Sequence, residues 1–442
     1  MSGDNQSGPF AAGTQVSARR ILGLALPALG VLAANPLYLL LDTAVVGRLG
    51  TQQLAALAAG TAVQSAVTTQ LTFLSYGTTA RASRLFGAGK RREAVAEGVQ
   101  ATWLAVAVGA LLMALVWAFA YPMAFLLSDD PATALLATRW MRVAALAIPM
   151  VLLIMAGNGW LRGVQNTRLP FLLTLCGLIP GAISLPFLVS AYGLVGSAVS
   201  NVIGMGIIAT LFLVVLAREH QGSWAPRPRV MGKQLVLGRD LILRSFSFQV
   251  SFFAAAAVAG RFGAASLAAH QILLQLWMFL TLVLDSLAIA AQTLTGSYLG
   301  QGKPREAKSV GIQVTKFSVW FSLVLAAVFV FLAGPIQSIF TADVRVREVL
   351  YFPWWLLIAM IVVGGVVFAL DGVLLGAADA AFLRNLTVGS IVIGLVPFVF
   401  AALVFGWGLT GIWVGHVVSL LVRLVGVVMR FNSMKWARVG VR

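Results

Sequence analysis

The amino-acid sequence predicts an all-α integral membrane protein with twelve transmembrane helices, arranged as two parallel six-helix repeats that form two lobes. The composition, the long apolar runs and an internal repeat support this fold class. Hydrophobic residues make up 60% of the 442 residues, and charged residues only 10%, against about 25% in soluble domains. Such a chain cannot cover its apolar surface in water, which excludes an ordinary soluble enzyme and a disordered protein. The single cysteine, Cys176, excludes a disulfide scaffold.

The apolar runs have the length of membrane helices. A spanning helix needs about 20 apolar residues, and a helix satisfies its own backbone hydrogen bonds in lipid. Strands of a membrane barrel are only about 10 residues long and alternate in polarity, unlike these runs. The predicted spans are Ile21–Val46, Leu54–Ala80, Val95–Ala120, Ala132–Ala156, Leu169–Ser190, Leu194–Ala217, Leu241–Ala259, Leu267–Ser297, Val310–Gly334, Val349–Leu375, Leu386–Phe405 and Leu409–Val428.

The net charge of +17 comes mainly from short loops, so it indicates membrane orientation and not nucleic-acid binding. Basic residues concentrate in the even-numbered loops and the C-terminus, whereas the third loop is acidic at Asp129 and Asp130. We therefore expect even loops and both termini in the cytoplasm, and a multi-pass protein of the inner membrane. The predicted domains are a tail at 1–20, a lobe at 21–217, a linker at 218–240, a second lobe at 241–428 and a basic tail at 429–442.

Two segments recur at a spacing of 213 residues. Gly47–Leu57 matches Gly260–His270 at six of eleven positions, and Leu85–Ala94 matches Tyr298–Ala307 at six of ten. Each half contains an even number of spans, so both halves face the same way. Transporters built from such parallel repeats bind substrate between the halves and alternate by rocking them. A duplicated membrane protein without transport activity is the alternative.

Three acidic residues lie well inside apolar runs: Asp42, Asp285 and Asp371. A charge at this depth costs about 2.5–3.5 kcal/mol on insertion scales, so such acids mark ion or substrate pathways. Each could carry a proton, hold Na⁺ or bind a cationic substrate. The alternative is a structural acid paired with a polar neighbour.

Asp42 has the most informative surroundings. Pro27 and Pro36 precede it in the same span and predict a helix that can bend. Asn35 lies two helical turns before Asp42, and Thr43 follows it, so both are candidate network partners. A bent helix with a titratable carboxyl can couple proton binding to a conformational change.

Other kinds of site are not indicated. The isolated histidines lack metal-ligand spacing, no P-loop is present, and no reactive set of side chains suggests an enzyme. We therefore expect no cofactor, no metal site and no nucleic-acid partner. Any active transport must draw on an ion gradient.

These features together resemble the multidrug and toxic compound extrusion (MATE) family. The first span, with Pro27, Asn35-Pro36 and Asp42-Thr43, is similar to that family's first-helix signature. Phe86–Lys90 with Gly300–Lys303, and Leu161–Pro170, resemble its loop motifs. The segments at Leu284-Asp285 and Leu370–Gly376 look like its DinF-like branch.

The resemblance implies twelve helices in two lobes and export of amphipathic, often cationic compounds in exchange for H⁺ or Na⁺. Asp42 would be the proton site, and Asp371 the matching acid of the second lobe. Many members carry an Asn and an Asp in the fifth helix, but Leu178–Pro186 contains neither, which favours H⁺ over Na⁺. We expect a monomeric proton-coupled antiporter.

Two alternatives stay open: a Na⁺-coupled exporter, and a flippase for a lipid-linked precursor. The flippase would favour a strongly basic interior. Few basic residues lie inside the predicted spans, and Arg139 and Arg142 lie only near the beginning of one of them.

Overall fold

The computed structural model describes residues 16–439, and its regular secondary structure there is entirely helical. The predicted basic tails lie partly outside the described residues, at 1–15 and 440–442. In the first half the helices are α1 (Ala18–Val46), α2 (Thr51–Gln70), α3 (Phe73–Gly87), α4 (Arg91–Ser128), α5 (Pro131–Ala144), α6 (Ala147–Gly163), α7 (Arg168–Tyr192) and α8 (Leu194–Glu219). In the second half they are α9 (Pro228–Arg261), α10 (Ala264–Gly300), α11 (Pro304–Phe331), α12 (Ala333–Phe340), α13 (Val344–Gly376), α14 (Ala380–Ser390), α15 (Val396–Phe405) and α16 (Gly408–Asn432).

Membrane-spanning length is reached by most of these helices. Within residues 16–439, ten helices are long and apolar enough to cross a bilayer, where the continuous stretch Ala380–Phe405 counts as one. The pair α5 and α6 supplies an eleventh span if its two parts are taken together. The remaining predicted span, Leu54–Ala80, is the second in chain order. It corresponds to α2 and α3, which are shorter and more polar than the ten long helices.

The second predicted span is interrupted at Leu71 and Thr72, between α2 and α3. Threonine hydroxyls beside the interruption bond to nearby backbone carbonyls: Thr68 Oγ1 donates to Gln64 O at 2.9 Å, and Thr72 Oγ1 to Thr69 O at 3.0 Å. Such bonds compete with the regular helical ladder and often bend helices. The same kind of bond occurs inside helices that continue, as at Thr61, so these contacts accompany the interruption and do not account for it alone.

The fourth predicted span, Ala132–Ala156, is bent by 44° where α5 meets α6. Pro149 follows this break by a few residues. A proline lacks the N–H that would bond to the carbonyl four residues earlier, here Ala145, and its ring crowds that carbonyl. The bend is thus encoded by the sequence.

The predicted linker is partly helical. α8 ends at Glu219, and α9 begins at Pro228, within the stretch expected to connect the lobes. Proline suits the first helical position because its missing N–H has no partner there in any case. α9 has 34 residues and is about 51 Å long at 1.5 Å per residue. It therefore extends well beyond a hydrocarbon core of about 30 Å.

One compact unit, here the N-terminal unit, comprises Leu26–Val250 and Ala380–Val388. Its core contains Trp160 and Phe212. Glycine permits close contact at Gly98, where a Cβ would lie 2.5 Å from the Trp160 ring. The Trp160 indole therefore occupies the space that a larger side chain at position 98 of α4 would need.

The second unit, here the C-terminal unit, comprises Ser251–Asp379 and residues 389–439, together with residues 16–25. Its core includes Trp277, Trp354 and Trp413. α10 and α13 touch through their backbones, since a Cβ on Gly372 would lie 2.2 Å from the Ala288 carbonyl oxygen. Both units recruit α1 and α9, so the predicted lobe boundaries at 21–217 and 241–428 stay a prediction.

Candidate functional site

Asp42 is buried within α1, with 2% of its surface exposed. α1 is a single helix from Ala18 to Val46 that contains both Pro27 and Pro36. The helix therefore continues through two positions at which the backbone lacks a hydrogen-bond donor. These positions weaken α1 before the acid, in the place where the sequence predicted a bend.

A hydroxyl bonds to the acid, and an indole bonds to that hydroxyl. Ser197 of α8 hydrogen-bonds through its side chain to the Asp42 carboxyl. The same Ser197 Oγ accepts a bond from Trp140 Nε1 of α5 at 3.2 Å. Because the indole can only donate, Trp140 leaves the Ser197 proton free to point at Asp42. The other carboxyl oxygen, Asp42 Oδ1, is buried without a hydrogen-bond partner among the described residues.

A second group of hydroxyls lies one turn away. Tyr38 precedes Asp42 by four residues, and its hydroxyl donates to Ser200 Oγ of α8 at 2.9 Å. Ser200 Oγ donates in turn to the Gly181 carbonyl of α7 at 2.6 Å, and Ser184 Oγ lies 3.2 Å away. The groups that surround Asp42 here are neutral.

The other predicted residues of α1 lie apart from this network. Asn35 is exposed. Thr43 is also exposed, and its hydroxyl donates to the Leu39 carbonyl of its own helix at 2.8 Å. Their proposed role as partners of Asp42 remains a prediction that this structure leaves untested. The sequence reasoning passed over Ser197, Ser200 and Trp140, because neutral residues in apolar runs carry little signal.

Asp371 has an ionic partner. Its Oδ2 accepts a bond from Arg423 Nη2 of α16 at 2.5 Å, and the two side chains are only 5% and 7% exposed. Arg423 lies in the middle of the predicted span Leu409–Val428 and was overlooked as a basic residue inside a span. A charge inside an apolar run is the signal that could have revealed it. Asp285, the third predicted acid, is partly buried in α10.

Metal-ion sites of the usual kind are not evident. In residues 16–439, no group of three or more His, Cys, Asp or Glu side chains is arranged to hold a metal ion. The histidines found together, His270 and His416, pack with Trp413, whose Nε1 donates to His270 Nδ1 at 3.3 Å.

The MatE family model matches residues 27–188 and 241–400, which together make up most of the chain. The chain belongs to the MatE family. Because the model matches once in each half, it also confirms the internal repeat. This MATE protein is accordingly a multi-pass membrane transporter and not an enzyme.

Known relatives and a solved structure agree with this assignment. The sequence is 29% identical over 433 residues to the Arabidopsis thaliana protein DETOXIFICATION 44, chloroplastic, covering 93% of this chain and 82% of that protein. It is 26% identical over 416 residues to DNA damage-inducible protein F of Escherichia coli (strain K12), covering 90% and 89%. A crystal structure of a MATE protein in a bent conformation matches with a TM-score of 0.87 at 20% identity, covering 94% and 96%. The predicted fold and the DinF-like resemblance are confirmed.

Proposed function

We propose that this MATE transporter exports amphipathic, often cationic compounds in exchange for protons, and that Asp42 is the proton-coupling residue. The observation that carries the proposal is the difference between the two buried acids. Asp371 is neutralised by Arg423, whereas the described neighbours of Asp42 are hydroxyls and an aromatic ring. An acid without a counter-ion can gain and lose a proton at modest cost, but an ion-paired acid cannot.

The hydroxyl network supports H⁺ over Na⁺. A hard cation prefers several oxygen ligands, carboxylates among them. Asp42 contributes the single carboxylate of this cluster in the described chain, and the other groups of the cluster are neutral hydroxyls. A proton needs only the carboxyl oxygen. We therefore favour proton coupling at Asp42, with bending of α1 near Pro27 and Pro36 as the linked motion.

The proposed cellular setting follows from the charge distribution. The even loops and the C-terminus carry the basic residues, so they would lie in the cytoplasm. The transporter would act as a monomer in the inner membrane. Its cycle would expose Asp42 to the outside for proton uptake and to the inside for proton release.

The decisive experiment uses purified protein in proteoliposomes with a fluorescent cationic dye. Dye flux is measured with an imposed pH gradient and, separately, with a Na⁺ gradient. We compare wild type, Asp42→Asn and the control Asp129→Asn, which changes an exposed carboxyl in the loop after α4. We expect flux driven by the pH gradient in wild type and the control, and none in Asp42→Asn despite normal insertion.

Other results would redirect the assignment. Normal proton-driven flux in Asp42→Asn at matched protein amount would contradict the role of Asp42. Flux that needs only Na⁺ would move the coupling site to Asp371 or Asp285. An absence of dye flux with either gradient in folded protein would favour a flippase, to be tested with a lipid-linked precursor.

A further inference from the structure

Two glutamines occupy equivalent positions in the sequence repeat. Gln100 and Gln313 are 213 residues apart, the same spacing that relates the other repeated segments. The neighbouring positions also agree, with Gly98 and Thr102 matching Gly311 and Thr315. The threonines make the same bond, since Thr102 Oγ1 donates to Gly98 O at 2.8 Å and Thr315 Oγ1 to Gly311 O at 2.7 Å. The two glutamines thus lie in the same local structure.

Gln100 binds the backbone just before α9. Its Oε1 accepts from the Arg227 amide at 2.6 Å, and its Nε2 donates to the Ala225 carbonyl at 3.1 Å. Trp103, one turn later on α4, donates to the Trp224 carbonyl at 2.7 Å. Gln100 is 3% exposed. The Gln100 side chain therefore supplies hydrogen bonds to two backbone groups before α9, the Ala225 carbonyl and the Arg227 amide, which have no helical hydrogen bonds of their own.

Gln313 binds the backbone just before α1. Its Oε1 accepts from the Val16 amide at 2.7 Å, two residues before the helix begins. The glutamine of the second repeat thus holds the start of the first repeat's first helix. The glutamine of the first repeat holds the start of the second repeat's first helix.

The equivalence extends along both helices. Ile21 and Ala25 of α1 are buried, and so are Gln234 and Gly238, which lie 213 residues later in α9. α1 belongs to the C-terminal unit up to Ala25 and to the N-terminal unit afterwards, and α9 changes unit after Val250. Each first helix is therefore shared by both units, and its start is held by a glutamine of the opposite sequence half.

We propose that Gln100 and Gln313 are positioning residues, called here the two anchors. Their hydrogen bonds to the backbone before α9 and α1 stay formed throughout transport, and they fix the positions at which these helices begin. A helix is stiff, so bending requires a fixed end and a weak point. α1 has both, because Gln313 holds its start and Pro27 follows the residue at which it changes unit. The proposal rests on the proposed function only in that α1 carries the coupling acid.

The first test removes each anchor's hydrogen bonds. Gln100→Met and Gln313→Met keep side-chain length but lose polarity, and we expect turnover to fall roughly threefold to tenfold with dye affinity unchanged, as for the loss of one or two hydrogen bonds. Gln313→Glu keeps the acceptor for the Val16 amide and should transport like wild type. Gln301→Met is the matched control, because among residues 16–439 the bond of the Gln301 side chain is from Nε2 to Ser297 Oγ, one turn earlier, at 3.5 Å. Wild-type turnover in both Met variants would overturn the proposal.

The second test asks whether Gln313 and Val16 stay in contact throughout the transport cycle. In a Cys176→Ser background, Val16→Cys and Gln313→Cys are combined and bridged with a short thiol-specific cross-linker. The unbridged protein should transport slowly, and bridging should restore the rate of the Cys176→Ser parent. A bridge that stops transport would overturn the proposal, because residues 16 and 313 would then have to separate during the cycle.

These tests remain separate from the proton assignment. Exchange of labelled for unlabelled dye, at equal dye concentrations on both sides and without a pH gradient, needs no net proton movement and so reports anchor function alone. If Asp42→Asn transports normally while the bridged protein recovers, proton coupling at Asp42 fails and the anchors stand. If bridging does not restore exchange, the anchors fail whatever Asp42 does.

Discussion

The pair between Asp371 and Arg423 predicts a characteristic pattern of stability. At 2.5 Å, with 5% and 7% exposure, the Coulomb attraction is about 6–7 kcal/mol at an effective dielectric constant of about 20. Desolvation of both charges offsets most of this, so the net contribution of the pair is small. Removing one partner leaves an uncompensated buried charge and costs about 3–5 kcal/mol. Removing both charges together should leave the stability close to that of wild type.

The assay is a double-mutant cycle of Asp371→Asn, Arg423→Gln and the combined variant, measured as unfolding of purified protein in detergent. We expect both single variants to be destabilised and the double variant to approach wild type. Arg423→Gln should recover partly at low pH, because a carboxyl that has lost its arginine can take up a proton, whereas the guanidinium of Arg423 stays charged in Asp371→Asn. Asp371→Asn would lose transport through lost stability.

The refuting result concerns both stability and flux. A double variant as unstable as the two single variants combined would show that the charges are not energetically coupled. A double variant that folds well but fails in proton-driven flux would show that Asp371 itself carries an ion. The matched comparison is the pair of Asp379 and Arg430, which joins the loop after α13 to the end of α16 at 2.7 Å. Its disruption should cost less, because both groups reach solvent.

Three other substitutions have defined outcomes. Ser197→Ala removes a hydroxyl that bonds to the Asp42 carboxyl, so the pH dependence of dye flux should change, and an unmoved profile would contradict this contact. Gly372→Ala places a Cβ 2.2 Å from a carbonyl oxygen of α10, so detergent unfolding should show a loss of about 1–3 kcal/mol, while full stability would mean that the helices can separate. Hydrogen bonds from the hydroxyl and amide three residues later hold the pKa of Asp130 below its ordinary value. The cap that Asp130 forms on α5 is therefore present above its unfolded pKa and lost as pH falls through its folded pKa, so acid sensitivity of unfolding should decrease in Asp130→Asn.

Much of the fold could be predicted because lipid imposes simple rules on the chain. The long apolar runs predicted most of the observed helices, and the 213-residue spacing predicted the repeat that the family model matches twice. The division of Leu54–Ala80 into α2 and α3 was not predicted. A hydropathy pattern does not show where an apolar run is interrupted, nor the bonds that Thr68 and Thr72 make to carbonyls beside the break.

The candidate site was predictable only in its charged parts. Asp42 and Asp371 stood out because a carboxyl in an apolar run is rare. The partners did not, since Ser197 is an ordinary residue in a membrane helix, and Arg423 lies 52 positions after Asp371. Pairing between distant segments depends on tertiary packing, which a single sequence does not display. The same reason kept Gln100 and Gln313 from notice.

The reciprocal attachment of α1 and α9 has an evolutionary consequence. If the chain arose by duplication, its half-length ancestor already carried the anchoring glutamine and the segment that the glutamine binds. In the present chain each glutamine binds the segment from the other half, so the contact joins the two copies of the repeat. Such an ancestor would have functioned as a pair of molecules exchanging their first helices, as in a domain-swapped dimer. Fusion of the two genes would then have turned an exchange between molecules into contacts along one polypeptide.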